Sequence, residues 1–121
     1  MIKLIALIAR QPHLSRAEFK AHYEAVHAPL VAQLCPMIGR YTRSYLPDEA
    51  AVAGNLGPAN FDVLTELWFD DADTLASFWQ RIREPAVSAA IRADEAHFLI
   101  SERTQMYQVD ECTGLNHVKA S

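Results

Sequence analysis

His27 is the residue of this chain best placed to move a proton. It lies in a segment where Ser15 and Glu18 form the pattern of a capping box, which predicts a helix that begins at Arg16. Pro29 lacks an amide hydrogen and restricts the residue before it, so we expect this helix to kink at His27. An imidazole titrates near neutral pH, and a kink would aim it inward. His27 is therefore a candidate general acid or base.

The same helix also permits a purely structural explanation of this histidine. Its apolar residues recur at helical spacing and predict a buried stripe: Phe19, Tyr23, Val26 and Leu30. A histidine beside such a stripe can simply hydrogen-bond a backbone carbonyl left free by Pro29. His22 is expected to face solvent. Because His22 and His27 are five residues apart, an α-helix would place them on different sides, and the sequence predicts no metal site here.

Two carboxylates in a later segment are further candidates. Asp62 and Glu66 are four residues apart in a predicted strand, hence on one face and about 13 Å apart. This separation is too large for a close carboxylate pair, but either group could orient His27 or a substrate. An equally good explanation is that each forms an ion pair, with Arg40, Arg43 or a partner subunit.

Three aromatic residues complete the candidate site. Tyr41 could donate a hydrogen bond to a substrate, and Tyr41, Tyr45 and Trp68 could together form a wall for a flat ligand. The same side chains would also suit the core of a dimer, and for Trp68 we favour this second interpretation.

The pattern of apolar residues predicts the order of elements. Strands are predicted at Ile2–Ala9, Arg40–Leu46, Phe61–Phe69 and Thr104–Val109, with helices at Arg16 to about Leu34, from Asp70 or Asp73 to Glu84, and a shorter piece at Ala86–Arg92. Residues 47–60 form a long loop. The order is that of an α+β, ferredoxin-like βαββαβ fold over residues 1–109, followed by a tail at 110–121. This plan leaves one sheet face bare, with Leu64 and Trp68 on it, and predicts a homodimer.

Composition excludes several classes of protein. The chain has 121 residues, a net charge of -4 and no basic cluster, so we expect no nucleic-acid partner. The apolar run Leu4–Ala9 is too short to span a membrane. Cys35 and Cys112 lack metal-ligand spacing, so we expect reduced thiols and a cytoplasmic protein. Nucleotide-binding glycine motifs are absent from the sequence, so no tightly bound cofactor is predicted.

Four segments resemble the EthD family, named for ethyl tert-butyl ether degradation, within the dimeric α+β barrel group. They are MIKLIALIAR, LSRAEFKAHYEAVHAPLV, FDVLTELWF and ADEAHFL, and they span roughly residues 1–100 in the family's order. The resemblance implies that two subunits pack their sheets into a barrel, with a cavity for a small hydrophobic ligand in each. The family includes accessory proteins of ether oxidation, lactone isomerases, and polyketide cyclases or decarboxylases, so its fold does not settle its chemistry.

The resemblance also implies site residues. It carries over His27 with Pro29, Asp62 with Glu66, and Asp94 with Phe98 as ligand-contacting positions, and it places Tyr41 where related lactone isomerases have a pocket tyrosine. The sequence departs from those isomerases at Leu67, where they have a cysteine. This departure argues against the isomerase reaction.

Two functions follow as hypotheses. The first is a cofactor-free enzyme of the isomerase or lyase type, in which His27 transfers protons on a small, apolar, oxygenated substrate during isomerisation, cyclisation, dehydration or decarboxylation. Asp62, Glu66 and Tyr41 would assist it, and Tyr45, Trp68, Asp94 and Phe98 would bind the substrate. The second is a non-catalytic accessory protein that holds a ligand for a partner oxygenase. An enzyme should present His27 and a carboxylate to one pocket, whereas a carrier should line it with apolar groups.

Overall fold

The structure of the chain is a computed structural model that describes residues 1–54 and 57–114. Its elements are β1 (Ile2–Ile8), α1 (Arg16–His22), a π-helical turn (Tyr23–His27), α2 (Ala28–Leu34), β2 (Arg40–Tyr45), β3 (Val63–Phe69), α3 (Ala72–Arg83), α4 (Pro85–Phe98), a 3₁₀ turn (Ser101–Arg103) and β4 (Gln105–Val109). The predicted tail lies partly outside the described residues, as do two positions of the predicted loop.

The four strands form one sheet in the order β2-β3-β1-β4, and every neighbouring pair is antiparallel. This arrangement confirms the predicted ferredoxin-like fold. β1 is central, as its apolar character on both faces predicted. Alternate residues of each strand face the helices, so the side chains of β3 divide into a buried set that includes Thr65 and Leu67 and an opposite set that includes Glu66.

Helices cover one face of the sheet and bury most of the core. Phe19 and Tyr23 from the first helical segment pack with Phe98 from the end of α4, while Phe78 of α3 packs on Phe69 of β3. Each ring removes a large apolar area from water, which is the main source of stability for a domain of this size. These side chains thereby cover much of the sheet face on which the helices lie.

The first helix differs from the prediction at its kink. Ser15 caps it and forms the expected box with Glu18, but the backbone stays right-handed helical through Ala28, which the sequence had predicted to leave helical geometry. A π-helical turn takes the place of a break, and the Ala28 amide donates to the Tyr23 carbonyl, five residues back. The wider turn admits Pro29 without ending the helix.

Two other predictions about the helices are wrong. Val26 is 45% exposed and does not belong to the buried stripe, because the π-helical turn changes the angular position of the residues within it. The final helix, α4, runs from Pro85 to Phe98 and is twice the length of the predicted piece. Its cavity-facing residues include Ser88 and Arg92, whose polarity hid the helical periodicity from the sequence analysis.

The face of the sheet away from the helices is only partly polar. Trp68 is buried there between Lys3 and Arg40, which both stack on its ring, and its indole nitrogen donates to Glu111. Tyr107 of β4 remains 49% exposed.

Among the described residues, the helices are all too short or too polar to cross a bilayer.

Candidate active site

A cavity of about 240 Å³ lies between the helix-facing side of the sheet and the surrounding helices. Apolar side chains form much of its wall, among them Ile8, Val31, Leu67, Phe78, Ile91 and Leu99. Polar groups come from every layer: Tyr23 and His27 from the π-helical turn, Tyr41 and Thr65 from the sheet, and Glu95 from α4. Concave apolar surfaces with a few converging polar groups are typical of small-molecule sites.

Asp94 on α4 holds two histidines at once. Its Oδ2 lies 2.8 Å from Nδ1 of His27 and its Oδ1 lies 2.9 Å from Nε2 of His22. The π-helical turn explains how one carboxylate reaches both, because bonding five residues back puts residues five apart on the same side of the helix. The expectation that His22 would point away from His27 is therefore wrong.

The hydrogen bond to Asp94 determines the state of His27. A carboxylate only accepts hydrogen bonds, so Nδ1 carries the hydrogen and Nε2 of the neutral ring keeps its lone pair. The residue is 4% exposed, and this burial lowers the pKa of His27 below its usual value, although Asp94 opposes the shift. His27 is thus a neutral imidazole at pH 7, with Nε2 available to a molecule in the cavity that it lines.

A row of hydroxyl groups lies in the same cavity. The Tyr41 hydroxyl donates to the Tyr23 hydroxyl at 3.0 Å, and Tyr23 lies 2.8 Å from the Thr65 hydroxyl. Burial raises the pKa of both tyrosines above the usual value of a phenol, so both stay protonated. Hydroxyls can rotate, so this row is able to donate a hydrogen bond to an oxygen atom of a bound molecule.

Asp62 and Glu66 do not join this site. Asp62 accepts hydrogen bonds from the Arg10 backbone amide at 2.8 Å and from the side chains of Arg10 and Arg16 at 3.3 and 3.2 Å. Glu66 lies on the opposite face of the sheet, where it pairs with Lys3 and accepts from Thr42. The prediction that one of them would meet His27 is wrong in its geometry, because Asp94 from α4 occupies that position.

The remaining predicted residues fall into two groups. Phe98 packs on the His27 ring, with centroids 4.9 Å apart, so it supports the histidine. Tyr45 donates a very short hydrogen bond to Glu24, beside the cavity, and Trp68 lies on the opposite face of the sheet. These two aromatic side chains are not brought together with Tyr41 into one wall.

Sequence reasoning missed Tyr23 and Glu95 as site residues. Tyr23 was assigned to the apolar stripe, and its hydroxyl contact with Thr65 joins residues 42 positions apart, which no local pattern reveals. Glu95 lies beside Asp94 in a segment whose helix was predicted to end at Arg92. A longer helix would have placed residues 88, 91, 92 and 95 on one face, which is the signal that could have found Glu95.

The described residues include no cluster of three or more histidines, cysteines or acids arranged to hold a metal ion. Asp94 contacts two histidines, but its two carboxylate oxygens are already hydrogen-bonded to their ring nitrogens. Cys35 lines the cavity as a free, buried thiol, and burial raises its pKa, so it stays protonated.

Comparison with known proteins assigns this chain to a family. The EthD domain model matches residues 11–101, so the chain belongs to the EthD family. No curated protein matches the sequence.

Solved structures show the same fold at low identity. An EthD family protein from Bacillus halodurans is 21% identical and superposes with a TM-score of 0.62, over 93% of this chain and 100% of the other. SnoaB from Streptomyces nogalater, described as a cofactor-independent oxygenase, is 13% identical with a TM-score of 0.60, over 95% and 96%. A protein of unknown function from Thermobifida fusca, described as dimeric and ferredoxin-like, is 19% identical with a TM-score of 0.54, over 89% and 88%.

Proposed function

We propose that this protein is an enzyme that transfers protons on a small, apolar, oxygenated compound, with His27 as the general base. The observation that carries the proposal is the hydrogen bond from His27 to Asp94 at the wall of a largely apolar cavity. A base held by a buried carboxylate, in the neutral state at pH 7, is the arrangement that general-base catalysis requires.

The proposed step uses only groups of this chain. Nε2 of His27 takes a proton from a carbon next to a substrate carbonyl, and the electron pair moves to the carbonyl oxygen. Asp94 stabilises the imidazolium that forms, and the hydroxyl row of Tyr41, Tyr23 and Thr65 donates to the developing oxyanion. A substrate bound against the apolar wall displaces water from it, and each of these interactions is then stronger than in solution.

Enolate formation of this kind is the first step of isomerisation, cyclisation, dehydration and decarboxylation alike. SnoaB is described as a cofactor-independent oxygenase, so a protein of this fold performs chemistry without a cofactor. We accordingly propose that the protein needs no tightly bound cofactor for proton transfer.

Hydrogen exchange at a carbon atom tests the proposed step without knowledge of the final reaction. Phenylacetone, an apolar ketone with an acidic carbon–hydrogen bond, would be incubated with the protein in heavy water, and loss of its α-proton signal followed by NMR. We expect the wild-type protein to accelerate exchange, and the His27→Gln variant to lose about a hundredfold or more of this acceleration.

His13→Gln is the matched control, because His13 is exposed and lies outside the cavity. This variant should exchange the probe as fast as the wild-type protein. Absence of catalysed exchange in the wild-type protein, with phenylacetone bound in the cavity, would contradict the enzymatic proposal and favour an accessory protein that holds a ligand for a partner oxygenase.

We also propose a homodimer formed through the sheet face opposite the helices. Ile5, Leu7 and Leu64 lie on this face and are only partly buried, and Tyr107 is half exposed. The relative from Thermobifida fusca is described as dimeric.

Sedimentation should give a dimer that Leu64→Asp dissociates, whereas Val52→Asp, at a fully exposed loop position, should leave it intact. A wild-type monomer at micromolar concentration would contradict this proposal.

A further inference from the structure

One acidic residue, Glu95, stands in the cavity lining. Its side chain lines the cavity and is partly buried, but no hydrogen bond or ion pair joins its carboxyl group to any residue in 1–54 or 57–114. An unpaired carboxyl group at the wall of a cavity is available to hydrogen-bond a molecule bound there.

Glu95 and its neighbour on α4, Asp94, face different parts of the site. Ser88, Ile91, Arg92 and Glu95 recur at three- and four-residue spacing and all line the cavity. Asp94, one residue earlier, is turned toward the two histidines of the first helix. Two adjacent carboxylates thus serve one cavity: one holds the base from behind, and the other faces the space where a substrate would lie.

Burial and neighbouring charges both act on the Glu95 carboxyl group. Burial raises the pKa of Glu95 above its usual value, Asp94 adds to the shift, and Arg92 opposes it. The other titratable groups at the cavity wall are Tyr23, His27, Tyr41 and Cys35, of which the tyrosines and the thiol are uncharged at neutral pH.

We infer that Glu95 is the general acid that complements His27, and that the reaction it serves is loss of water from a β-hydroxy carbonyl compound. This inference rests on the proposed function. Nε2 of His27 takes the proton from the carbon between the two oxygenated carbons, and a carbon–carbon double bond forms. The bond from the β-carbon to its hydroxyl oxygen breaks, and the Glu95 carboxyl proton goes to that oxygen, which leaves as water. His27 then releases its proton to solvent and Glu95 takes one up.

The aldol adduct of acetone and benzaldehyde is a suitable probe. It is small and mainly apolar, and loss of water gives benzylideneacetone, a conjugated ketone with strong ultraviolet absorbance. Two rates are measured on this one compound in heavy water: deuterium exchange next to the carbonyl by NMR, and water loss by absorbance. In Glu95→Gln we expect the ratio of water loss to exchange to fall about a hundredfold. In His27→Gln both rates should fall together.

Glu102→Gln is the control, since Glu102 is exposed and outside the cavity, and its ratio should equal that of the wild type. An unchanged ratio in Glu95→Gln, or exchange without any water loss in the wild-type protein, would overturn the inference and leave the proposed function standing. Absence of exchange would instead reject the proposed function, and the inference with it.

A measurement on the unaltered protein decides the matter independently of any variant. The carboxyl carbons of glutamate, labelled with carbon-13, can be titrated by NMR. The Glu95 signal should titrate above the usual range of glutamate, as its burial at the cavity wall predicts. Titration of Glu95 at or below the usual range would overturn its role as an acid.

Discussion

The carboxylates of β3 and those of α4 are held in different ways. Asp62, one residue before the strand, and Glu66, in its middle, contact arginine and lysine side chains, whose charge is permanent at any physiological pH. Asp94 contacts two histidines, and Glu95 has no hydrogen-bond partner among the described residues. The first arrangement fixes charge and serves the fold. The second allows charge to change, which is what proton transfer requires.

Among the carboxylates, Asp94 is the one whose substitution should give the largest effect on exchange activity. Asn in place of Asp94 keeps the size of the side chain but removes the charge that stabilises the His27 imidazolium, and its amide group can impose the wrong tautomer. We expect catalysed exchange of phenylacetone to fall on the order of a hundredfold, and the pKa of His27 to fall further below its usual value. If the Asp94→Asn variant kept the full exchange rate, the proposed difference between the carboxylates of α4, which serve proton transfer, and Asp62 and Glu66, which serve the fold, would be wrong.

Substitution of Asp62 should affect stability and leave exchange unaltered. Asp62→Ala would leave two arginine side chains and one backbone amide without their acceptor in a partly buried place. We expect the free energy of unfolding, measured with urea, to fall by about 1–3 kcal/mol. A loss of exchange with normal stability would show that the strand carboxylates also serve the cavity.

The capping box and the strands follow from short-range patterns, which is why the sequence predicts them. Ser15 and Glu18 are three residues apart, and the alternation of β3 is complete within seven residues. The partner of His27 is different, because Asp94 lies 67 positions away and contacts it only once α4 packs against the π-helical turn. The resemblance singled out Asp94, but no spacing rule connected it with the histidine.

Glu24 is a further carboxylate that is held by a permanent cation, and acid should weaken this interaction. Arg43 binds Glu24 through two hydrogen bonds, at 2.7 and 2.9 Å, and lowers the pKa of Glu24 to about 2. A lowered pKa stabilises the folded state above the usual glutamate pKa, and this stability is lost as the pH falls through the folded-state pKa. Stability should therefore decline between about pH 4.5 and 2.

The Glu24→Gln variant should lose this part of the acid dependence. Because the side chain of Glu24 is 38% exposed, solvent screens the pair and we expect a contribution of about 1 kcal/mol. Urea unfolding at several pH values measures it, and identical slopes for the variant and the wild type between these limits would show that the pair contributes nothing.

The smallest expected effect concerns His22. A positive charge on His22 lowers the pKa of His27, since both rings share Asp94. Gln at position 22 keeps a donor for Asp94 but cannot become charged, so the pKa of His27 should rise slightly. Titration of the His27 ring by NMR would detect this, and a fall in its pKa would show that His22 supports the base in another way. His97→Gln, at an exposed position on α4, is a nearby control.

The π-helical turn makes the length of the first helix a determinant of the site. Regular α-helical winding of the same residues would place His22 and His27, five positions apart, about 140° from each other about the helix axis. The two histidines would then diverge from their common acceptor, Asp94, whereas loss of one residue between them would leave them four apart on one face of an α-helix. The count of residues between Ser15 and Pro29 thus carries structural information of its own. A relative with one residue fewer in this interval would bring two histidines to one face of the helix without a π-helical turn.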